Sequence, residues 1–215
     1  MIVSRNEIES LALKATRGAG MSWGLAEEAS FAAGWLAERD LPWADTLVGV
    51  LAQAHTTSAP QIVGHVIAPS RPGTRLCPVM TGALLSDLGP PTSAMEVRDV
   101  LAPVWLAPFL AGWAELDRAA SLRWGKVHLL VVENGVAGTH AAPPVALAVA
   151  GADRVAIAFK PLGRLERPQP QSRPAGYVAP DDAWRSLQGL EHRTYVPAST
   201  QSRLAGAGAG LLDND

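Results

Sequence analysis

The side chains best suited to chemistry lie near the C-terminal end of the sequence. Tyr195, Ser199, Ser202 and Arg203 follow closely after His192. Hydroxyl groups beside a guanidinium group bind small anions, because the guanidinium adds positive charge to the hydrogen-bond donors. The alternative is turn chemistry, in which serine and threonine hydroxyls satisfy nearby backbone groups. The pattern therefore predicts Tyr195, Ser199, Ser202 and Arg203 as ligand-binding candidates.

A Gly-Ala repeat at 206–210 and an acidic end that includes Asp213 complete this segment. The repeat does not fit a dinucleotide-binding fingerprint, because its sixth position is Leu211 and few residues remain for the required helix. We expect an ordered tail whose glycine backbone lies close against another element, and what anchors it stays open. The carboxylates could hold a hard cation or could simply be solvated. Asp213 is kept as a ligand-binding candidate, and no metal site is predicted.

Glu28 and His192 are the two candidates for catalysis. Glu28 borders the apolar face of a predicted helix, beside Trp35. A partly buried carboxylate there would have the raised pKa that a general acid or base needs. The alternative is that Glu28 only interacts with the helix dipole. His192 is a candidate because it lies next to the cluster of hydroxyls and Arg203.

The single cysteine and the five histidines do not indicate a metal centre. The histidines lack the spacing of zinc sites, and His128 is expected at an ordinary sheet position. Cys77 lies beside Pro78 in an apolar context and is expected to be a buried structural thiol. The sequence has no G-x-S-x-G motif for serine-based hydrolysis. No cofactor is predicted.

The composition excludes several classes of protein. With 48% hydrophobic and 18% charged residues, the 215-residue chain can bury a core and is not expected to be disordered. Its formal net charge of −2 provides no field that would attract nucleic acid or an anionic membrane. It contains neither a signal-peptide core nor a long apolar run, so we expect a soluble, cytoplasmic protein.

Local signals predict helices at the N-terminus. Ser4 and Glu7 form a capping-box pattern for a first helix, which the glycines at 18–20 should end. Ser22 is a predicted N-cap for a helix over 23–39. A third helix is predicted over 43–54. The helical region is therefore expected to occupy residues 1–54.

The middle of the chain carries mixed signals. Residues 61–68 are predicted to form a strand. Ser93 and Glu96 resemble another capping box, which predicts a short helix to about residue 101. The apolar stretch from residue 104 to 116 is ambiguous: 104–110 is typical of a buried strand, whereas 110–120 could be helical.

Later segments predict a β-rich region over residues 100–160. Strands are expected over 121–124, 127–132, 145–149 and 154–159, joined by short turns that favour antiparallel pairing. A last helix is predicted over 183–191, with the ordered tail completing residues 181–215. The expected fold is a single α+β domain over residues 1–215, with an N-terminal helical layer packed on a largely antiparallel β-sheet.

Two longer stretches resemble a known family. The strings SRNEIESLALKATRGAGMSWGLAEEASFAAGWLAERDLP and RTYVPASTQSRLAGAGAGLLDND are similar to DUF3726, a family of uncharacterised bacterial proteins. This resemblance implies no activity and no catalytic residues. The opening helices are also similar to those of the non-Rossmann malate/L-lactate dehydrogenases. The Ser-His-Gly element of that family is missing at His55, so no nicotinamide cofactor is inferred.

Three functions remain open at this point. The first is a small-molecule binding or accessory protein, expected as a homodimer, because no catalytic motif is present and the tail is polar. The second is an enzyme acting on a small anionic metabolite, with Arg203, Tyr195, His192 and Glu28 in one pocket. The third is a structural or oligomer component without a pocket. The expected partners are a small molecule or a second copy of the chain, not nucleic acid or a membrane.

Overall fold

The computed structural model describes residues 1–114, 118–132, 135–139, 144–161 and 175–195. Within these residues it has seven α-helices and nine β-strands. Helices cover one face of a seven-stranded sheet, which confirms the predicted α+β class. No helix in the described part is both long and apolar enough to cross a membrane.

The N-terminal helices begin where the sequence predicts. Helices α1 (Arg5–Gly18), α2 (Trp23–Ala37) and α3 (Ala44–Ala52) form the first part of the chain. The Ser4 hydroxyl accepts a hydrogen bond from the Glu7 amide, and the Glu7 carboxylate accepts one from the Ser4 amide at 2.7 Å. Ser22 caps α2 through the Leu25 amide. These starts are local, because each cap satisfies backbone donors within its own first turn.

Two helical segments differ from the sequence-based expectation. Helix α4 (Pro78–Leu88) has no predicted counterpart, although Pro78 occupies the first turn, where proline is tolerated. The buried strand predicted over 104–110 is wrong. This segment forms a 3₁₀ turn (Pro103–Leu106) and then helix α5 (Ala107–Ala111). The segment is buried on all sides, so every position is apolar. It therefore lacks the alternation of apolar and polar residues that distinguishes a strand from a helix.

A seven-stranded sheet forms the second layer, and a separate two-stranded sheet joins β1 to β9. The order of the large sheet is β2-β3-β4-β8-β5-β6-β7, in which only the β3–β4 pair is parallel. The strands are β1 (Ile2–Val3), β2 (Pro60–Val63), β3 (Val66–Pro69), β4 (Met95–Leu101), β5 (Arg118–Trp124), β6 (Val127–Val132), β7 (Gly135–Thr139), β8 (Gly151–Pro161) and β9 (Tyr177–Val178).

The short helix predicted to run to residue 101 is wrong, because that segment is strand β4. The Ser93 hydroxyl is hydrogen-bonded to His65 Nδ1 at 3.1 Å and does not cap a helix. Met95, Val97 and Val100 are buried, and β8 pairs along the length of β4. Pairing with β8 is a long-range contact, and it overrides the local capping pattern.

Two further strand predictions are corrected. The strand predicted over 61–68 is a hairpin of β2 and β3, because Gly64 takes a φ of 60° and turns the chain. The strand predicted over 145–149 is wrong, since this segment contains helix α6 (Pro144–Leu147). The predicted strands in β5, β6 and β8 are confirmed.

The main core lies between the helices and one face of the sheet. Val97, Leu122, Leu129 and Ile157 are completely buried on adjacent strands and belong to one cluster with the helical side chains. Their neighbours along each strand point to the opposite face. A second, smaller buried cluster of Ala119, Leu130 and Val132 lies on that opposite face.

Helix α7 (Asp181–Glu191) returns to the N-terminal helices and packs on α1. The two helices approach closely where Gly18 lies against the backbone of Leu190. A Cβ atom added to Gly18 would collide with the Leu190 carbonyl, whereas one added to Gly189 would have no atom within 4 Å. The contact between α1 and α7 therefore requires glycine at position 18.

Replacing Gly18 by alanine should loosen this contact. We expect Gly18→Ala to destabilise the fold by about 1–3 kcal/mol, the usual cost of overpacking. The matched variant Gly189→Ala should be neutral or more stable by up to about 1 kcal/mol, because it only adds helix propensity. Urea unfolding measures both, and equal stability of the two variants would contradict the close approach.

Candidate functional site

A groove of about 290 Å³ lies between α1 and α7. Its volume is near the lower end of the range for small-molecule sites. Leu11 and Trp184 form its apolar floor and are 4% and 9% exposed. The remaining lining residues are polar: Asn6, Glu7, Ser10, Gln188 and Glu191.

The spacing of these residues follows from the two helices. Asn6 and Ser10 are four residues apart on α1, as are Trp184 and Gln188 on α7, so each pair lies on one helix face. Among the described residues, the side chains of Asn6, Ser10 and Gln188 form no hydrogen bond. An apolar floor with hydrogen-bonding groups on the rim suits a polar small molecule.

A three-residue cluster joins the two helices at one end of the groove. The Lys14 ammonium and the Tyr195 hydroxyl both donate to Glu191 Oε1, at 2.8 and 2.6 Å. The Lys14 nitrogen also lies 5.8 Å from the centre of the Tyr195 ring. The Glu191 side chain is only 15% exposed, so these contacts hold a mostly buried carboxylate.

The ionisation of this cluster follows from its hydrogen bonds. Partial burial works to raise the pKa of Glu191, but the bonds from Lys14 and Tyr195 outweigh it and leave the pKa below its ordinary value. The same hydrogen bond to Glu191, followed by its charge, raises the pKa of Lys14. Tyr195 also has a raised pKa, first because of its hydrogen bond to Glu191.

The structure brings together only some of the predicted site residues. Tyr195 bonds to Glu191 at the groove, and His192 packs against the Tyr195 ring at a centroid distance of 5.5 Å. Glu28 is partly buried on α2 and does not line the groove. The other candidates lie outside the described residues: Ser199, Ser202, Arg203 and Asp213.

A second chemically competent pair lies on the sheet face opposite the main core. Ser121 on β5 and His128 on β6 are hydrogen-bonded, with 2.9 Å between Oγ and Nε2. Ser121 is buried and His128 is partly buried. Arg123 lies directly across from His128 and is exposed. A serine bonded to an imidazole can be activated as a nucleophile when the imidazole accepts its proton.

The sequence contains the signal for this pair, although the two residues belong to no catalytic motif. The two-residue turn Gly125-Lys126 sets Trp124 opposite Val127, and therefore Arg123 opposite His128. Ser121 lies two residues before Arg123 on β5, so its side chain is on the same face of the sheet as that of His128. His128 was expected at an ordinary sheet position, and that expectation did not consider Ser121, its diagonal neighbour on β5.

Neither a metal centre nor a reactive thiol stands out in the described part of the chain. No three His, Cys, Asp or Glu side chains are grouped there so that they could hold a metal ion. Cys77 is buried at the start of α4, as predicted. Burial raises the pKa of its thiol, despite hydrogen bonds from the Met80 and Val79 amides.

Comparison with known families gives a match in the N-terminal part of the chain. Residues 3–81 match the family described as "Protein of unknown function (DUF3726)". This range contains the N-terminal string that resembles DUF3726 and confirms that resemblance, whereas the C-terminal string lies outside it. Comparisons with curated proteins and with solved structures found no match.

The lowered pKa of Glu191 predicts a pH-dependent contribution to stability. A depressed folded-state pKa stabilises the fold above the unfolded-state value, and this contribution disappears as the pH falls through the folded-state value. Glu191→Gln should therefore be less stable than the wild type at pH 7, and the difference should shrink below the ordinary glutamate pKa. Thermal unfolding across this range measures it.

The exposed carboxylate of Asp182 on the same helix provides the control. Its side chain is 94% exposed and pairs only with Arg185 among the described residues. Asp182→Asn should change stability little at any pH, because exposed ion pairs contribute little. A Glu191→Gln effect that persists unchanged in acid would rule out the charge of Glu191 as its cause.

Proposed function

We propose that this protein, whose residues 3–81 match DUF3726, is a small-molecule binding or accessory protein that uses the groove between α1 and α7. The observation that supports this proposal is the combination in one groove of a buried apolar floor with polar side chains that have no hydrogen bond among the described residues. Such groups are available to a ligand without first breaking contacts within the protein.

The charges at the groove favour a neutral or amine-bearing ligand over an anion. Glu7 and Glu191 both contribute carboxylates to its lining. Lys14, the nearby cation, already donates to Glu191. An anion would have to approach two like charges, whereas an amine could pair with them. We therefore propose a polar metabolite that carries amine, amide or hydroxyl groups.

Filling the groove provides the test. A screen of amines, amides and polyols by thermal shift should find compounds that raise the unfolding temperature of the wild type, because a ligand stabilises the state that it binds. Ser10→Trp should weaken ligand binding at least tenfold and so reduce the thermal shift, since the indole would occupy space above Leu11.

Ser86→Trp provides the control. Ser86 is exposed on α4 and does not line the groove. This variant should bind as the wild type does. The proposal is wrong if no compound stabilises the wild type, or if Ser10→Trp binds with unchanged affinity. A lack of binding would favour a structural component.

A second candidate function, an enzyme acting on a small anionic ester, is supported by the Ser121–His128 hydrogen bond. Ser121 Oγ would attack the carbonyl carbon while His128 Nε2 takes its proton and then returns it to the leaving alcohol. Water would hydrolyse the acyl-serine in a second step, with His128 again as the base. Arg123, opposite His128, would bind the anionic group of the substrate.

A fluorophosphonate probe tests this second function, because it reacts with activated serines and does not require a known substrate. We expect labelling of the wild type, loss of labelling in Ser121→Ala, and at least a tenfold slower reaction in His128→Ala. Ser86→Ala should label as the wild type does. An unlabelled wild type would contradict the enzymatic role of this pair.

A further inference from the structure

Strand β2 forms one edge of the seven-stranded sheet and is exposed. Its Ile62 and Val63 side chains are 43% and 68% exposed. Edge strands are usually protected from pairing with other chains by charged side chains. Residues 46–70 contain no Asp, Glu, Lys or Arg, and this is the longest such stretch in the sequence. The edge at β2 therefore lacks charge that would oppose pairing.

The hydrogen bonds of the β2–β3 hairpin determine which backbone groups face outwards. The Ser70 amide donates to the Ala59 carbonyl at 3.0 Å, so Ala59 points towards β3. Inward and outward residues alternate along an antiparallel strand. Gln61 and Val63 therefore also point inwards, and Ile62 directs both its N–H and its C=O to the outer edge.

Pro60 limits the length of any pairing at this edge. It is the other outward-facing residue of β2, and proline has no N–H to donate. A long foreign strand would therefore find a donor only at Ile62 within β2. A partner strand that is centred on Ile62 and offers one donor and one acceptor there uses both outward groups of that residue.

We propose that β2 pairs with β2 of a second copy of this chain, antiparallel and centred on Ile62. A two-fold axis through this point sets each Ile62 N–H against the Ile62 carbonyl of the other copy, so one residue supplies both halves of the contact. Because the strand is uncharged, the two copies bring no like charges together.

The side chains of the edge also favour self-pairing. Ile62 pairs with the completely buried Ile67, so its side chain lies on the core-facing side of the sheet. Two Ile62 side chains brought together across the axis would extend this apolar layer and lose water-exposed area. The pairing joins two sheets of seven strands into one continuous sheet.

Sedimentation velocity over a concentration series tests the proposal. We expect the wild type to change from monomer to dimer as its concentration rises, and Ile62→Pro to remain monomeric at every concentration. The proline removes an outward-facing N–H without breaking a hydrogen bond between β2 and β3, and edge positions tolerate proline. Ile62→Val keeps the N–H and an apolar β-branched side chain, so it should dimerise as the wild type does.

A cross-linking experiment tests the register without removing a hydrogen bond. Ile62→Cys should form an intermolecular disulfide under mild oxidation, because directly opposed residues have Cα atoms about 5.5 Å apart, within disulfide range. Val178→Cys, which is similarly exposed on β9, should cross-link at least tenfold more slowly. The native Cys77 is buried and should not interfere.

The outcomes separate this proposal from its competitors. A wild type that stays monomeric at the highest soluble concentration would overturn it, and so would a dimer that persists in folded Ile62→Pro. If Ile62→Pro does not fold, equal cross-linking rates at positions 62 and 178 would still refute pairing at β2. The groove lies on other elements, so ligand binding and dimerisation can fail independently.

Discussion

The position of α1 between α2 and α7 is the constraint on which the candidate groove depends. Two glycines allow it: Gly34 of α2 lies against the Glu9 side chain, and Gly18 of α1 lies against the Leu190 backbone. Arg5 donates to Glu9 within α1 and also to Glu38, and the second bond joins α1 to the end of α2. Because α1 contacts both neighbours at close range, its remaining polar face can form one wall of a groove with α7.

The groove between α1 and α7 and the sheet face that carries Ser121 and His128 have opposite electrostatic character. The groove carries carboxylates, and its nearby ammonium group is already paired. On the outer sheet face, Arg98 and Arg154 both pair with Glu96, and Arg123 lies two strands away in the same row. The ligands that we propose differ accordingly, with a neutral or amine-bearing molecule for the groove and an anionic ester for the sheet face. Of the residues proposed for one anionic pocket, Tyr195 and His192 are in contact at the end of α7, Glu28 does not line the groove, and Arg203 lies outside the described residues.

The candidate site could be predicted in part. His192 and Tyr195 follow from the sequence because they lie together at the end of a recognisable helix. The sequence could not identify the groove-lining residues Asn6, Ser10 and Gln188. Exposed polar residues on a helix do not indicate a binding site until a second helix lies beside them. Glu191 is paired with Lys14, which is distant along the chain, as well as with the nearby Tyr195. The sequence cannot show such a contact, because it depends on how α7 returns to α1.

The sequence by itself determined the features that are set within one turn or one hairpin. Ser4 and Ser22 start their helices because their hydroxyls bond to amides three residues away, and Gly125 turns β5 into β6 for a similarly local reason. The tertiary structure decided the segments 95–101 and 104–110. In the first, pairing with β8 outweighed a local capping pattern. In the second, burial on every side removed the periodicity that would have identified a helix.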